Sequence, residues 1–253
     1  MYSSHTSTTN HSPENYGSCT RDCAAALKIN PKNIKALYRT SQALFALQKL
    51  PLAQQACTLL LSTDATNAPG RALLDRINRA VTTAEAVQAA REAQEAKTRN
   101  EHITLAKAIR DRGWHVSMSA SAPVDTQDAA LTLEDATDAS SELSVPVLLL
   151  YPTAAQTELV KGVRETETIA DHLEYILPDA PWDSSKEYQS VEAVESYMET
   201  REGGLVKVGR KVKLGTVLRG GKVEIKDGLC RVYVVPKPRV AGWIEEFKRR
   251  RQT

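Results

Sequence analysis

The chain has 253 residues, 42% hydrophobic, 25% charged and 5% aromatic, with a formal net charge of +2. This is an ordinary globular composition with room for one or two domains. It contains no apolar run of membrane-spanning length and no apolar N-terminal stretch, so neither a transmembrane helix nor a secretory signal is expected. Its four cysteines, Cys19, Cys23, Cys57 and Cys230, include no Cys-x-x-Cys pair. They are expected to be packing residues in a reducing compartment, not metal ligands.

Residues 1–15 are rich in Ser, Thr, Asn and His and show no helical period, so they are expected to be disordered. Tyr16–Ile29 reads as a helix with Cys19, Cys23, Ala26 and Leu27 on one face and Pro31 just beyond its end. Ile34–Leu47 and Pro51–Ser62 form the next two helices, and the turn Gln48-Lys49-Leu50 is short enough to make them antiparallel. Tyr16, Cys19, Cys23, Leu27 and Asn33 recur as Leu50, Ala53, Cys57, Leu61 and Asn67. This offset of about 34 residues is the period of the tetratricopeptide helix–turn–helix repeat, whose stacked units form a concave peptide-binding groove. A long helix from Gly70 to Arg112 follows, with candidate breaks at Thr82–Thr83 and Asn100. Its Ala84–Asn100 portion is too polar to be buried on any face, and Gly113 ends it.

Residues 113–144 hold six acidic residues and no Lys or Arg. They are expected to form an acidic flexible linker between a basic helical half and a near-neutral second half. Val145–Tyr151 is a continuous apolar run closed by Pro152, hence a buried strand. Glu167–Leu177 and Val191–Met198 fit helices. Leu205–Val208 is a strand, and Val212–Leu218 starts as strand and ends as helix. Val223–Lys226 and Leu229–Val235 flank Asp227-Gly228, a hairpin signal. Val240–Arg250 closes the chain as an amphipathic helix with Trp243, Ile244 and Phe247 on one face.

Few motifs carry chemistry. Lys35 and Arg39 stand at i and i+4 and share one face of the first helix of a repeat. In that register they face the groove and suit the carboxylates of an acidic peptide; a merely solvated helix face is the competing account. The tail Lys248-Arg249-Arg250-Arg251 has no interleaved aromatic residues and reads as a charged helix end more readily than as an RNA site. Gly203-Gly204 and Gly220-Gly221-Lys222 lack phosphate-loop spacing and are expected in turns. The five histidines do not cluster, and His172 is expected to be a packing or surface residue. The Trp of Pro181-Trp182-Asp183 either opens a recognition loop or plugs a core edge. No acid/base pair or nucleophile emerges, so an enzyme, a metal site and a cofactor are not expected.

The stretch from Asn15-Tyr16 to Asn33, with Lys35 and Tyr38-Arg39, resembles the last tetratricopeptide repeats of the cyclophilin-seven-suppressor/tetratricopeptide repeat protein four co-chaperones. Leu148-Leu149-Leu150-Tyr151-Pro152, Asp171-His172-Leu173, Pro181-Trp182-Asp183, Gly203–Gly209 and Val234-Val235-Pro236-Lys237 with Trp243-Ile244 resemble, in the same order, that family's C-terminal wheel domain. The resemblance implies α-hairpin repeats with a long capping helix, followed by an α+β wheel domain with a mixed sheet. The implied layout is partial repeats at 16–81, an extended helix at 82–112, the linker at 113–144 and the wheel at 145–253. It implies an adapter for the acidic C-terminal tails of 90-kDa and 70-kDa heat-shock chaperones, with a translation-factor client as a further partner. Neither membrane nor nucleic acid is expected. The implied location is the cytoplasm, with the nucleus as an alternative.

Of the family's five clamp groups only Lys35 and Arg39 have counterparts. Ser3, Thr6, Ser7 and Asn10 stand where an earlier helix would need packing residues, so a truncated repeat stack is expected. Loss of three charge-assisted contacts, each on the order of 1.5–3 kcal/mol, would weaken tail binding by well over about a hundredfold. The alternative is a wheel domain that binds clients while the repeat region is inactive.

Overall fold

A computed structural model describes residues 13–119 and 129–251. Ser3, Thr6, Ser7 and Asn10 lie outside them, as does the centre of the expected linker. The chain divides into two compact units, residues 1–96 and 97–253.

The first unit is helical: α1 (Pro13–Ile29), α2 (Ile34–Ala46), α3 (Leu50–Thr63) and the start of α4 (Ala68–Asp111). Its 34-residue echo is a repeat of backbone chemistry. Asn33 caps α2 by accepting from Ala36 N at 3.1 Å, and Asn67 accepts from Gly70 N at 2.9 Å. One turn earlier, Asn30 Oδ1 accepts from Lys32 N and Asp64 Oδ1 from Thr66 N, both at 3.1 Å. Asn33 and Asn67 satisfy amides that a helix start would otherwise leave without a partner, and Asn30 and Asp64 close the turns before them. Leu37, Ala53, Cys57, Leu60, Leu73 and Ile77 form the core, with Leu27 of α1 against it. At Gly70 an added Cβ would lie 2.7 Å from Leu60 Cδ2, so glycine lets α4 start close against α3. α4 runs unbroken for 44 residues, through both expected break points. Residues 82–100 are exposed on every side, held by contacts such as Arg91–Glu95 at 2.8 Å and Gln88–Glu92 at 2.7 Å.

The second unit is built on a mixed sheet. β3 (Leu143–Tyr151) pairs antiparallel with β4 (Gln156–Arg164) and parallel with β8 (Cys230–Pro236). β8 continues to β5 (Val194–Glu199), and β5 to β6 (Leu205–Val208), both antiparallel. A neighbour on each side, one buried face and one partly covered face explain the unbroken apolar run of β3. Pro146 falls where the β3–β4 register shifts, a position that tolerates a residue with no N–H. α5 (Ile169–Ile176) starts in a capping box between Thr168 and Asp171. α6 (Leu214–Arg219) and α7 (Val240–Arg251) complete the unit. No helix among the described residues is long and apolar enough to cross a membrane.

Several expectations need correction. α1 begins at Pro13, inside the stretch expected to be disordered, and Val212–Leu218 does not start as a strand, since only an isolated bridge from Lys213 to Thr168 precedes α6. Val191–Met198 is not a helix: Val194–Glu199 is a strand between β8 and β6. Its apolar residues mimic a helical period because both faces of this strand are partly covered. β4 was not anticipated, since its sequence QTELVKGVR is mostly polar, as suits a strand with one neighbour. The Asp227-Gly228 turn forms, with φ of +56° and +77°, but only Lys226 and Leu229 bridge across it. Beyond the turn β8 pairs with β3 and β5, and β7 (Ile225–Lys226) pairs with β1 (Val116–Ser117). The stretch expected as flexible linker holds β2 (Thr132–Leu133), paired with the start of β3. It also holds Asp135 and Asp138, whose carboxylates accept from Thr137 N and Ser140 N at 2.8 Å.

Candidate functional site

The helical unit carries the residues singled out for peptide binding. α2 buries Ala36, Leu37, Ser41 and Ala43, and Ser41 Oγ donates to Leu37 O at 2.8 Å. These positions fix the helix rotation. Lys35, Arg39, Gln42 and Ala46 consequently form one exposed stripe. Lys35 and Arg39 make no ion pair among the described residues and are available to an anion. Arg39 lies on the side of α1, close enough to pull the Cys19 thiol pKa down; burial and the neighbouring Cys23 outweigh this and raise it. The Cys19 and Cys23 sulfurs are 4.0 Å apart. α4 places a further cation beside α2, with Arg76 5.4 Å from the centre of the Phe45 ring. No sequence pattern marked Arg76, because only the helix packing brings it to Phe45.

In the second unit, Arg112 is the most heavily engaged polar side chain. Its Nε and Nη2 both donate to the Glu165 carboxylate at 2.7–3.0 Å. Nη2 also donates to Ser141 O at 2.6 Å, and Nη1 to Ala139 O at 2.9 Å and Ala108 O at 3.3 Å. All five guanidinium N–H groups are thereby accounted for. Burial pushes the Glu165 carboxyl pKa up, but the Arg112 hydrogen bonds, the Leu143 amide and the Arg112 charge together hold it below the usual carboxylate range. This node ties the end of α4 to the 139–141 turn and to the end of β4; it is structural.

The other singled-out residues also take structural roles. Trp182 packs at a tilt of 44° against Tyr151 with centroids 4.5 Å apart, and Tyr188 meets both rings edge-on. Asp183 positions that loop by accepting from Glu187 N and Tyr188 N, so Trp182 plugs a core edge. His172 Nε2 lies 3.0 Å from Glu167 Oε2. Gly203 and Gly221, at φ of +83° and +68°, are turn residues. In the basic tail, Arg250 pairs with Glu246 and Arg251 with Glu199. Among the described residues no three His, Cys, Asp or Glu side chains come together as a metal site.

Comparison with known proteins fits both units. The family model described as the Cns1/TTC4 Wheel domain matches residues 135–247, beginning inside the stretch expected as linker. The chain is 31% identical over 246 residues to the Hsp70/Hsp90 co-chaperone CNS1 of Saccharomyces cerevisiae, covering 94% of this chain and 63% of the yeast protein. It is 27% identical over 231 residues to human tetratricopeptide repeat protein 4, covering 84% and 59%. The chain thus spans about three fifths of the length of these relatives. Its structure superposes on that of the yeast Hsp90 co-chaperone Cns1 (delta69) with a TM-score of 0.81 and 31% identity, over 92% of this chain and 77% of the other. Helical repeats joined to a mixed-sheet Wheel domain, in the same order along the sequence, place this chain in the Cns1/TTC4 family.

Proposed function

We propose that the chain is a co-chaperone adapter that receives the acidic C-terminal tail of 90-kDa and 70-kDa heat-shock chaperones on α2, while its Wheel domain engages client protein. The observation that carries this reading is the exposed Lys35–Arg39 pair on the stripe of α2, one helical turn apart and without an internal counterion among the described residues. Arg39 offers a two-pronged guanidinium and Lys35 a point charge, a combination suited to a carboxylate-rich peptide end. The relatives' names as Hsp70/Hsp90 co-chaperones support the same partner class.

Calorimetric titration of the full chain with a synthetic chaperone tail peptide tests it. Lys35→Ala with Arg39→Ala should weaken binding by about tenfold or more, given two lost charge-assisted contacts. The melting temperature should stay unchanged, because both side chains are exposed. Equal affinity for the double variant and the parent would remove α2 from the site.

A second reading has its own support: residues 97–253 contain a self-contained core from Ala108 to Val234, as suits a client- or translation-factor-binding module. Under it, removal of residues 145–253 abolishes complementation of a deletion strain, and the double variant above does not.

A further inference from the structure

The Wheel domain carries a second peptide-sized groove, distinct from α2. α7 lies across the sheet through a cluster of four rings, Tyr197, Trp243, Tyr233 and Phe247, in tilted and edge-on contact with neighbouring centroids 5.3–5.7 Å apart. Beside this cluster is a cleft of about 490 Å³, between α7 and the Pro152-Thr153 turn that follows β3. Its apolar floor is Tyr233, Trp243 and Phe247, and its rim carries Arg239, Arg250 and Arg251. This volume falls within the range of functional binding clefts.

Two features indicate what fits. Gly242 lies on the cleft wall, inside α7, and a Cβ added there would meet nothing within 4 Å. It stands in the first turn of α7, and internal packing does not require glycine there. An incoming main chain passing close to the helix would. The rim arginines, in turn, are held by ion pairs at the surface, Arg239 to Glu187, Arg250 to Glu246 and Arg251 to Glu199, with arginine side chains 60%, 76% and 49% exposed, and Arg251 also lies 5.6 Å from the centre of the Phe247 ring. Such pairs contribute little in water, so a ligand carboxylate can replace them.

We propose that this cleft docks a short extended segment of a partner protein, an apolar anchor flanked by carboxylates. The anchor rests on Tyr233, Trp243 and Phe247, the backbone crosses Gly242, and the carboxylates exchange into the three arginines. The site does not depend on Lys35 or Arg39.

A random heptapeptide library displayed with no free C-terminus, panned against the full chain carrying Lys35→Ala and Arg39→Ala, tests the proposal. The expected result is enrichment of peptides with one or two large apolar residues between acidic ones. Fluorescein-labelled copies should bind about tenfold or more weakly to Gly242→Leu. They should also weaken on Arg239→Glu with Arg250→Glu, and when the apolar residues are changed to serine. Gly242→Leu and the milder Gly242→Ala should melt no lower than the parent, which separates a blocked cleft from a damaged fold. Failure to enrich any motif, enrichment of basic peptides, retention of full affinity by Gly242→Leu, or tighter binding of a labelled single-stranded RNA than of any enriched peptide would overturn the proposal.

Discussion

Replacement of Arg112 by methionine should be among the most damaging single changes in the second unit. The side chains of Arg112 and Glu165 are 12% and 14% exposed, so removing the guanidinium leaves a nearly buried carboxylate without its cation. It also deprives the Ala139 and Ser141 carbonyls of their Arg112 donors. Breaking one side of a buried pair costs about 3–5 kcal/mol, and the remaining access to water favours the lower end, about 3 kcal/mol. All three tryptophans, Trp114, Trp182 and Trp243, lie in this unit, so urea unfolding followed by tryptophan fluorescence reports on it selectively.

The pH dependence has a defined sign. Glu165 has a depressed pKa in the folded state, so its contribution is present above the unfolded value of about 4.3 and is lost as pH falls through the folded value. The stability gap between parent and Arg112→Met should therefore be widest at neutral pH and narrow as pH falls through the carboxylate range, first as the uncompensated Glu165 of the variant takes up a proton and finally as the parent's does. Arg112→Met with Glu165→Met should recover much of the loss, since removing both charges spares the desolvation of one alone. A single-variant loss below about 1 kcal/mol, or a gap that does not change with pH, would refute the assignment of a stabilising buried pair.

Three further outcomes follow from the packing. Gly70→Ala should cost the helical unit about 1–2 kcal/mol, because its Cβ would meet Leu60 and Asn67; reduced hydrogen-exchange protection of α2 and α3 checks this, and unchanged protection would count against it. Trp182→Ala should destabilise the Wheel domain by about 3 kcal/mol through loss of its contacts with Tyr151 and Tyr188; urea unfolding followed through Trp114 and Trp243 measures it. With Ellman's reagent at pH 8, Cys19 should react first, whereas Cys57 and Cys230 should react only on unfolding. Both latter thiols are buried, and burial pushes Cys230 up to about 12; prompt labelling of Cys230 in the native chain would contradict the packing.

The legible parts of the chain were those governed by near neighbours. The Asn33/Asn67 echo, the helix over Glu167–Leu177 and the turn at Asp227-Gly228 rest on contacts within three or four residues. Their signals sit in consecutive letters. The Lys35–Arg39 stripe was visible for the same reason, since helical period alone puts both on one face. The cleft beside α7 was not visible: Pro152, Tyr233, Gly242 and Arg251 come from separate parts of the chain, and no spacing rule connects them. Arg112 looked like one more charge at a helix end, because its partner Glu165 is 53 residues away.

The sequence by itself determined that this chain has helical repeats of 34-residue period followed by an α+β domain, that two cations share a face of α2, and that Trp243, Ile244 and Phe247 share a face of the last helix. Helical period and local capping depend on residues close in the chain, so they survive in the sequence. Only the tertiary structure decided that Val194–Glu199 is a strand, that β8 leaves its hairpin to join β3 and β5, and that the 129–144 stretch is partly ordered against β3. Each of those outcomes depends on which backbone groups find partners across the sheet and which faces are covered there. Strand partners are selected by packing over long separations, and the same apolar residues satisfy either period until their neighbours are in place.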